Sequence, residues 1–198
     1  LQAIARLVPK GSRVLDLGCG DGALLDYLQK HRGCSGYGVE IDDRNIQACV
    51  KRGVNVIQLN LDEGLNMFAD QSFDVVLQID TLQHLRNAEV MLRETVRVGR
   101  TGILAFPNFA HWRVRLSLLT GGRMPVTRLL PIAWYETPNI HHLTIADFGD
   151  LVKERGITVE RALTGPLLEG LEIEPVRSSL LVRIHFSSVD PELSSRVA

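Results

Sequence analysis

The residues best suited to chemistry lie early in the chain, in Val14-Leu15-Asp16-Leu17-Gly18-Cys19-Gly20-Asp21-Gly22. An apolar run gives way to three alternating glycines, and a helical pattern follows. Glycines where a strand turns into a helix allow a tight turn and let a ligand approach the backbone. Glu40 follows Gly18 by 22 residues, close to the offset of about 20 at which an acid at the end of a second strand accepts hydrogen bonds from ribose hydroxyls. Gly18-Cys19-Gly20-Asp21-Gly22-Ala23 also satisfies the looser form of the dinucleotide fingerprint. Charge separates the two ligands. A dinucleotide places an anionic pyrophosphate at this turn, where Asp16 and Asp21 would repel it. Two unit charges about 4 Å apart interact by roughly 4 kcal/mol at an effective dielectric near 20. S-adenosylmethionine instead brings an ammonium and a sulfonium, which neighbouring carboxylates favour. A turn that serves folding alone is the third reading.

The elements that must position these residues are legible as alternating short apolar runs and helical stretches. Arg13–Leu17 reads as a strand, Ala23–His31 as a helix and Gly36–Ile41 as a second strand. Asp42 or Asp43 can cap a helix that runs to Arg52 and stops at Gly53. Val54–Leu59, Phe73–Ile79 and Thr101–Phe106 are further strands, and Ala88–Val98 a helix with Gly99 as its stop. Thr144-Ile145-Ala146-Asp147 has the form of a capping motif, opening a helix to Arg155 before Gly156. Ile157–Leu163 and Ser179–Phe186 read as the last strands, and Ser187–Ala198 as a disordered tail. Such alternation predicts an α/β domain with a Rossmann-like, mostly parallel sheet and helices on both faces. One domain over residues 1–186 is expected.

The 198 residues carry 22 Lys plus Arg against 23 Asp plus Glu. This near-neutral balance gives no general attraction for nucleic acid or acidic membranes, so such partners would need a local patch. The three cysteines have neither zinc spacing nor the even count of a disulfide framework, which points to a reduced, cytoplasmic setting and no metal. No apolar run approaches the roughly 18 residues of a membrane span. The chain opens at Leu1 without a signal pattern, and the missing Met points to a trimmed or partial sequence.

Val14–Gly22 resembles motif I of class I S-adenosylmethionine-dependent methyltransferases, without a departure. The resemblance implies that the loop of Asp16, Gly18, Cys19, Gly20 and Gly22 wraps the methionine moiety, and that Glu40, followed by Ile41, holds the ribose. It also implies an adenine-side residue after the third strand. That place falls to Asn60, beside Leu61, and Asn lacks the usual charge but still offers an acceptor. Gln78, at the end of the fourth strand, is a further candidate for the cofactor pocket. Four longer strings resemble the methionine-biosynthesis protein MetW family: Asn60-Leu61-Asp62-Glu63-Gly64-Leu65, Phe106-Pro107-Asn108-Phe109-Ala110-His111-Trp112, Gly122-Arg123-Met124-Pro125-Val126-Thr127 and Trp134-Tyr135-Glu136-Thr137-Pro138-Asn139-Ile140-His141. That resemblance implies a seven-stranded methyltransferase-like fold with an antiparallel last strand, binding S-adenosylmethionine or S-adenosylhomocysteine. It further implies action alongside homoserine O-acyltransferase, in place of or besides methyl transfer to a small-molecule acceptor.

Between Pro107 and His142 the regular pattern breaks. Four of the eight prolines and both tryptophans lie there, with Arg113–Leu119 as a short helix. A cap over the cofactor mouth, a substrate lid and a docking surface for the acyltransferase all fit its aromatics. Docking is favoured because Trp, Tyr and Arg are enriched at interface hot spots. Arg113, Arg115, Arg123 and Arg128 are too few for a nucleic-acid stripe. The absence of an Asn/Asp-Pro-Pro-Tyr string after strand four argues against the exocyclic-amine methyltransferases that use it. No catalytic residue is assigned. His84, His111, His141 and His142 are possible bases, but a non-catalytic role is the stronger reading of each, at the pocket rim for His84. Cys19 sits at a loop position that tolerates many residues, so a reactive thiol is not expected there.

Overall fold

The computed structural model describes residues 2–124, 126, 132–163 and 179–185. The described residues form fifteen elements, two of them 3-10 turns at Leu61–Glu63 and Leu82–His84. The others run α1 (Gln2–Leu7), β1 (Arg13–Leu17), α2 (Ala23–Arg32), β2 (Ser35–Glu40), α3 (Asp43–Arg52), β3 (Val56–Gln58), β4 (Phe73–Ile79), α4 (Ala88–Val98), β5 (Gly99–Pro107), α5 (Trp112–Gly121), α6 (Ile145–Glu154), β6 (Val159–Leu163) and β7 (Ser179–His185). The strands form one sheet in the order β3-β2-β1-β4-β5-β7-β6. Pairing is parallel from β3 through β5, and β7 runs antiparallel between β5 and β6. The tail at Ser187–Ala198 and the end of the last expected strand, Phe186, lie outside the described residues.

Alternation of side chains along each strand sends two sets of apolar residues to opposite faces. Val14, Val75, Leu77, Ile103 and Ala105 pack with Ile4, Leu24, Leu25 and Leu28 of α1 and α2. Leu15, Leu17, Val39 and Val76 pack against Met91 and Val98 of α4. Leu104 and Phe106 meet Phe148 and Val152 of α6. Leu15, Leu17, Leu25 and Leu28 are wholly buried, each burial favouring the fold by about 1.5–3 kcal/mol.

Local chemistry accounts for most boundaries. The Asp42 carboxylate accepts from the N–H groups of Arg44 and Asn45 and starts α3, and Gly53 ends it in the left-handed region. Thr144 and Asp147 form a reciprocal capping box at α6. The strands expected at Gly36–Ile41 and Ile157–Leu163 run Ser35–Glu40 and Val159–Leu163, and α2 gains Arg32. Three further differences have a visible cause. Gly99 is extended rather than left-handed and leads straight into β5, so the strand begins two residues early. β3 is shorter than Val54–Leu59 because it is an edge strand, registered with β2 only at Gly38–Glu40, and the Val54 N–H is used by Cys49 of α3. The short helix in the irregular segment extends over Trp112–Gly121, started by the His111 ring and ended by left-handed Gly122.

Candidate functional site

The chain order reverses direction between β1 and β4, which are neighbours at the centre of the sheet. In open α/β sheets such a switch point leaves a crevice beyond the carboxyl ends of the two strands, where ligands bind. Gly18–Gly22 leaves β1 into this crevice, and Asp80 and Thr81 leave β4 into it. Gly18, Gly20 and Gly22 all have positive φ, at 74°, 55° and 76°. Their surroundings differ. A Cβ on Gly18 would lie 2.6 Å from the Thr81 hydroxyl, and one on Gly22 would lie 2.9 Å from the Cys49 sulfur, whereas one on Gly20 would meet nothing within 4 Å. Gly20 therefore offers bare backbone to open space.

Asp16 and Glu40 share the sheet face that carries Val14. The Glu40 carboxylate ties the loop to the end of β2. One oxygen accepts from the Gly20 N–H at 2.8 Å, and the other from Ile41 and Asp42 at 2.9 and 3.0 Å. Asp16 is 3% exposed, and no hydrogen bond among the described residues reaches its carboxyl. Burial, with a smaller contribution from the Glu40 charge, pushes its pKa up to about 7. Asp21 is committed elsewhere: one oxygen accepts from the Ala23 N–H, and the other lies 2.6 Å from Arg52. The charge argument for a cationic ligand thus rests on Asp16 and Glu40, not on Asp21.

Of the other expected site residues, Ile41 stands 60% exposed beside Glu40, a free apolar surface of the kind a flat base stacks on. Asn60 caps the 3-10 turn that begins at Leu61, its side chain accepting from the Asp62 N–H, and Leu61 is buried. The Leu59 N–H donates to the Glu40 carbonyl, which brings this turn to the same end of the sheet. Cys19 lies inside the loop with its sulfur 3.8 Å from that of Cys49. Gln78 is placed apart. It shares the β4 face of Val76, is fully buried and donates its amide to the Thr95 hydroxyl of α4.

Four residues that the sequence did not single out also frame the crevice. Thr81 donates its hydroxyl to the Leu17 carbonyl at 2.8 Å and pins the base of the loop to β4. Asp80, with φ of 54°, is a non-glycine residue in the left-handed region, a strain that recurs at functional sites. It keeps an exposed face, yet packing around its carboxyl raises its pKa while nearby His84 pulls it down. Asn139 presents its side-chain oxygen to Nε2 of His84 at 2.8 Å, and Cys49 approaches from α3. Through-space contacts of this kind leave no local signal in the sequence.

The aromatic segment rests on this end of the sheet. The Ile140 and His141 N–H groups donate to the Gln83 carbonyl, and the Phe109 N–H to that of Leu143. The His142 ring packs on Phe109, and His111 caps α5, so these two histidines have packing and capping roles. Arg128 lies outside the described residues. Among those described, no helix is long and apolar enough to cross a membrane.

The family model for methionine biosynthesis protein MetW matches residues 1–175. A bifunctional methionine biosynthesis protein MetXA/MetW of Rhodopirellula baltica is 37% identical over 183 residues, which are 88% of this chain and 29% of that protein. The chain therefore spans less than a third of that relative. Among solved structures, an S-adenosylmethionine-dependent methyltransferase of Mesorhizobium loti superposes with a TM-score of 0.68 at 17% identity, covering 93% of this chain and 96% of that one. Another from Thermotoga maritima, described as a possible histamine N-methyltransferase, gives 0.65 at 23%, covering 94% and 86%. These likenesses carry the fold, and the family rests on the sequence match: the chain belongs to the MetW family of methionine biosynthesis proteins, on the class I methyltransferase fold.

Proposed function

We propose that this MetW-family chain binds S-adenosylmethionine in the crevice between β1 and β4 and acts as an accessory protein of homoserine O-acyltransferase. The observation that carries the ligand is Asp16, a buried carboxyl that no hydrogen bond from the described residues reaches, set beside a glycine loop whose middle residue faces open space. A cation relieves that burial and an anion aggravates it. In this reading the ammonium and sulfonium side lies by Asp16 and Gly18–Gly22, and the ribose hydroxyls reach Glu40. Ile41, Asn60 and Leu61 receive the adenine. Glu40→Ala removes the ribose acceptor and the tie to Gly20 together. Hydrogen bonds to a charged group contribute about 1.5–3 kcal/mol, so affinity should fall roughly ten- to hundredfold by titration calorimetry. Equal affinities would sink the assignment.

The partner reading is supported by the Rhodopirellula relative, whose name joins MetXA and MetW in one chain. Fusion of two modules is one way to keep their effective concentration high, and separate chains need an interface instead. The Pro107–His142 segment offers one. α5 buries only Val114, leaving Trp112, Leu116 and Leu119 exposed, as are Trp134 and Tyr135. Arg123, Met124 and Trp134 line a groove of about 520 Å³. Co-purification with homoserine O-acyltransferase tests the reading. Trp134→Ala should weaken the complex by about 2 kcal/mol or more if it is a hot spot, and a folded mutant with full binding would remove that residue from the interface.

Methyl transfer to a small-molecule acceptor is the second reading, and the His84–Asn139 pair favours it. The Nε2 nitrogen of His84 lies 2.8 Å from the Asn139 side-chain oxygen, so the ring is held in one orientation beside Asp80. An oriented histidine at a crevice can accept a proton from an acceptor. S-adenosylmethionine, when bound, supplies the activated methyl group. Labelled methyl from S-adenosylmethionine appearing in a product of cell extract only with this protein favours the enzyme; no labelled product returns the chain to the accessory role.

A further inference from the structure

Cys19 comes from the glycine loop and Cys49 from α3, yet their sulfurs lie 3.8 Å apart. Both thiols donate to one acceptor, the Gly20 carbonyl, from 3.8 Å and 3.2 Å. The N–H of Gly20 donates to Glu40. The residue whose backbone faces the open crevice is thus held from one side by a carboxylate and from the other by a dithiol. The third cysteine, Cys34, is separate and points to the Pro9 and Arg32 carbonyls. Cys19 is 9% exposed, whereas Cys49 is fully buried.

We propose that Cys19 and Cys49 are a redox-modification site, at which hydrogen peroxide joins the two thiols and closes the glycine loop to its ligand. The consequence for binding rests on the reading that this loop holds S-adenosylmethionine. Cys19, the residue of the pair that keeps some exposure, attacks the peroxide and cleaves its O–O bond, giving a sulfenic acid and water. The Cys49 sulfur then attacks the Cys19 sulfur, its proton leaves with the displaced hydroxyl as a second water, and the disulfide forms. Two thiols are oxidised and one peroxide is reduced. Closure takes the sulfurs from 3.8 Å to the roughly 2.05 Å of a disulfide. It also removes both thiol donors from the Gly20 carbonyl, so the loop is pulled toward α3 while its backbone acceptor loses its partners. Burial, and then the Asp16 charge, hold the Cys19 thiol above its ordinary pKa. Little thiolate is present at neutral pH, so the site answers sustained peroxide rather than traces.

The test treats the whole chain with hydrogen peroxide and follows three readouts. The treated protein should lose the mass of two hydrogens, and its peptide map should join the Cys19 and Cys49 peptides. S-adenosylmethionine affinity should fall about tenfold or more, amide exchange at Gly18–Gly22 should change, and a thiol reductant should restore both. Cys34→Ala should still form the link, and Cys49→Ala should not. Absence of the link under sustained peroxide overturns the proposal. So does a complete link that leaves both affinity and exchange in Gly18–Gly22 unchanged. If the reduced protein does not bind S-adenosylmethionine, the ligand reading fails by itself, and the link with its effect on loop exchange still decides this one.

Discussion

A carboxyl buried beside a second carboxylate costs free energy whenever it ionises, and Asp16 is in that position. Its pKa rises from 3.8 to about 7, equivalent to about 4 kcal/mol against the charged form in the folded state. Between those two values the native state holds more of the Asp16 proton than the unfolded chain does. Stability from this group is therefore full below pH 3.8, falls as pH rises, and is gone above about 7. Asp16→Asn should flatten that part of the profile and leave the variant more stable than the parent near neutrality, as denaturant melts from pH 4 to 8 would show. The same residue should make ligand binding pH-dependent. A cation beside Asp16 favours the ionised form, so S-adenosylmethionine should bind more tightly as pH rises toward 7 and should release protons below it. Calorimetry in buffers of different ionisation enthalpy measures the release, and an Asp16→Asn protein that releases as many protons would place the titrating group elsewhere.

The strand–loop–helix element places two glycines that both have positive φ in unequal surroundings, which separates their folding and binding roles. An alanine at either position pays for positive φ by about 1–2 kcal/mol. Gly18→Ala must also push its methyl against Thr81, whose hydroxyl is fixed by the Leu17 and Ile79 carbonyls. Gly20→Ala meets no neighbour. We expect the larger loss of stability in Gly18→Ala. Gly20→Ala should stay folded but bind S-adenosylmethionine more weakly, because its methyl stands where the ligand approaches. Unchanged affinity in folded Gly20→Ala would mean that no ligand comes close there. These elements were legible because their signals are local: glycines at a strand end, Asp42 and Thr144 as caps, and apolar alternation that set β1, β4 and α4 at their observed limits. The place of Glu40 at the end of β2 was legible from its offset and from the strand pattern before it. The clash at Gly18, the pairing of Asp21 with Arg52 and the turning of Gln78 toward Thr95 were not. Each is a contact between residues at least 17 positions apart, and sequence pattern carries no such distance.

Across the whole molecule, a continuous set of contacts joins the crevice to the exposed aromatics. Gly18 packs on Thr81, which anchors to the Leu17 carbonyl and leads into the Leu82–His84 turn. That turn holds Asn139 through His84, and Ile140 and His141 through the Gln83 carbonyl. The held stretch continues back through the Ala133–Thr137 turn to Trp134 and Tyr135. Because S-adenosylmethionine is made from methionine, a protein that binds it beside an early enzyme of that pathway is placed to sense the end product. If the ligand biases the position of Thr81, it biases the strap that carries the aromatics. Linkage then requires the acyltransferase to change ligand affinity by the same factor as the ligand changes acyltransferase affinity. Couplings of this kind are about 1–3 kcal/mol, or roughly 5- to 150-fold. The expected result is a shift of that size in S-adenosylmethionine affinity on adding saturating homoserine O-acyltransferase, with a matching shift in complex affinity on adding the ligand. Asn139→Ala should reduce both shifts together, because Asn139 is the side-chain link between the strap and His84. Shifts that persist in full in Asn139→Ala would show that the strap does not carry the coupling, and affinities unchanged by either component would show that the two sites act independently.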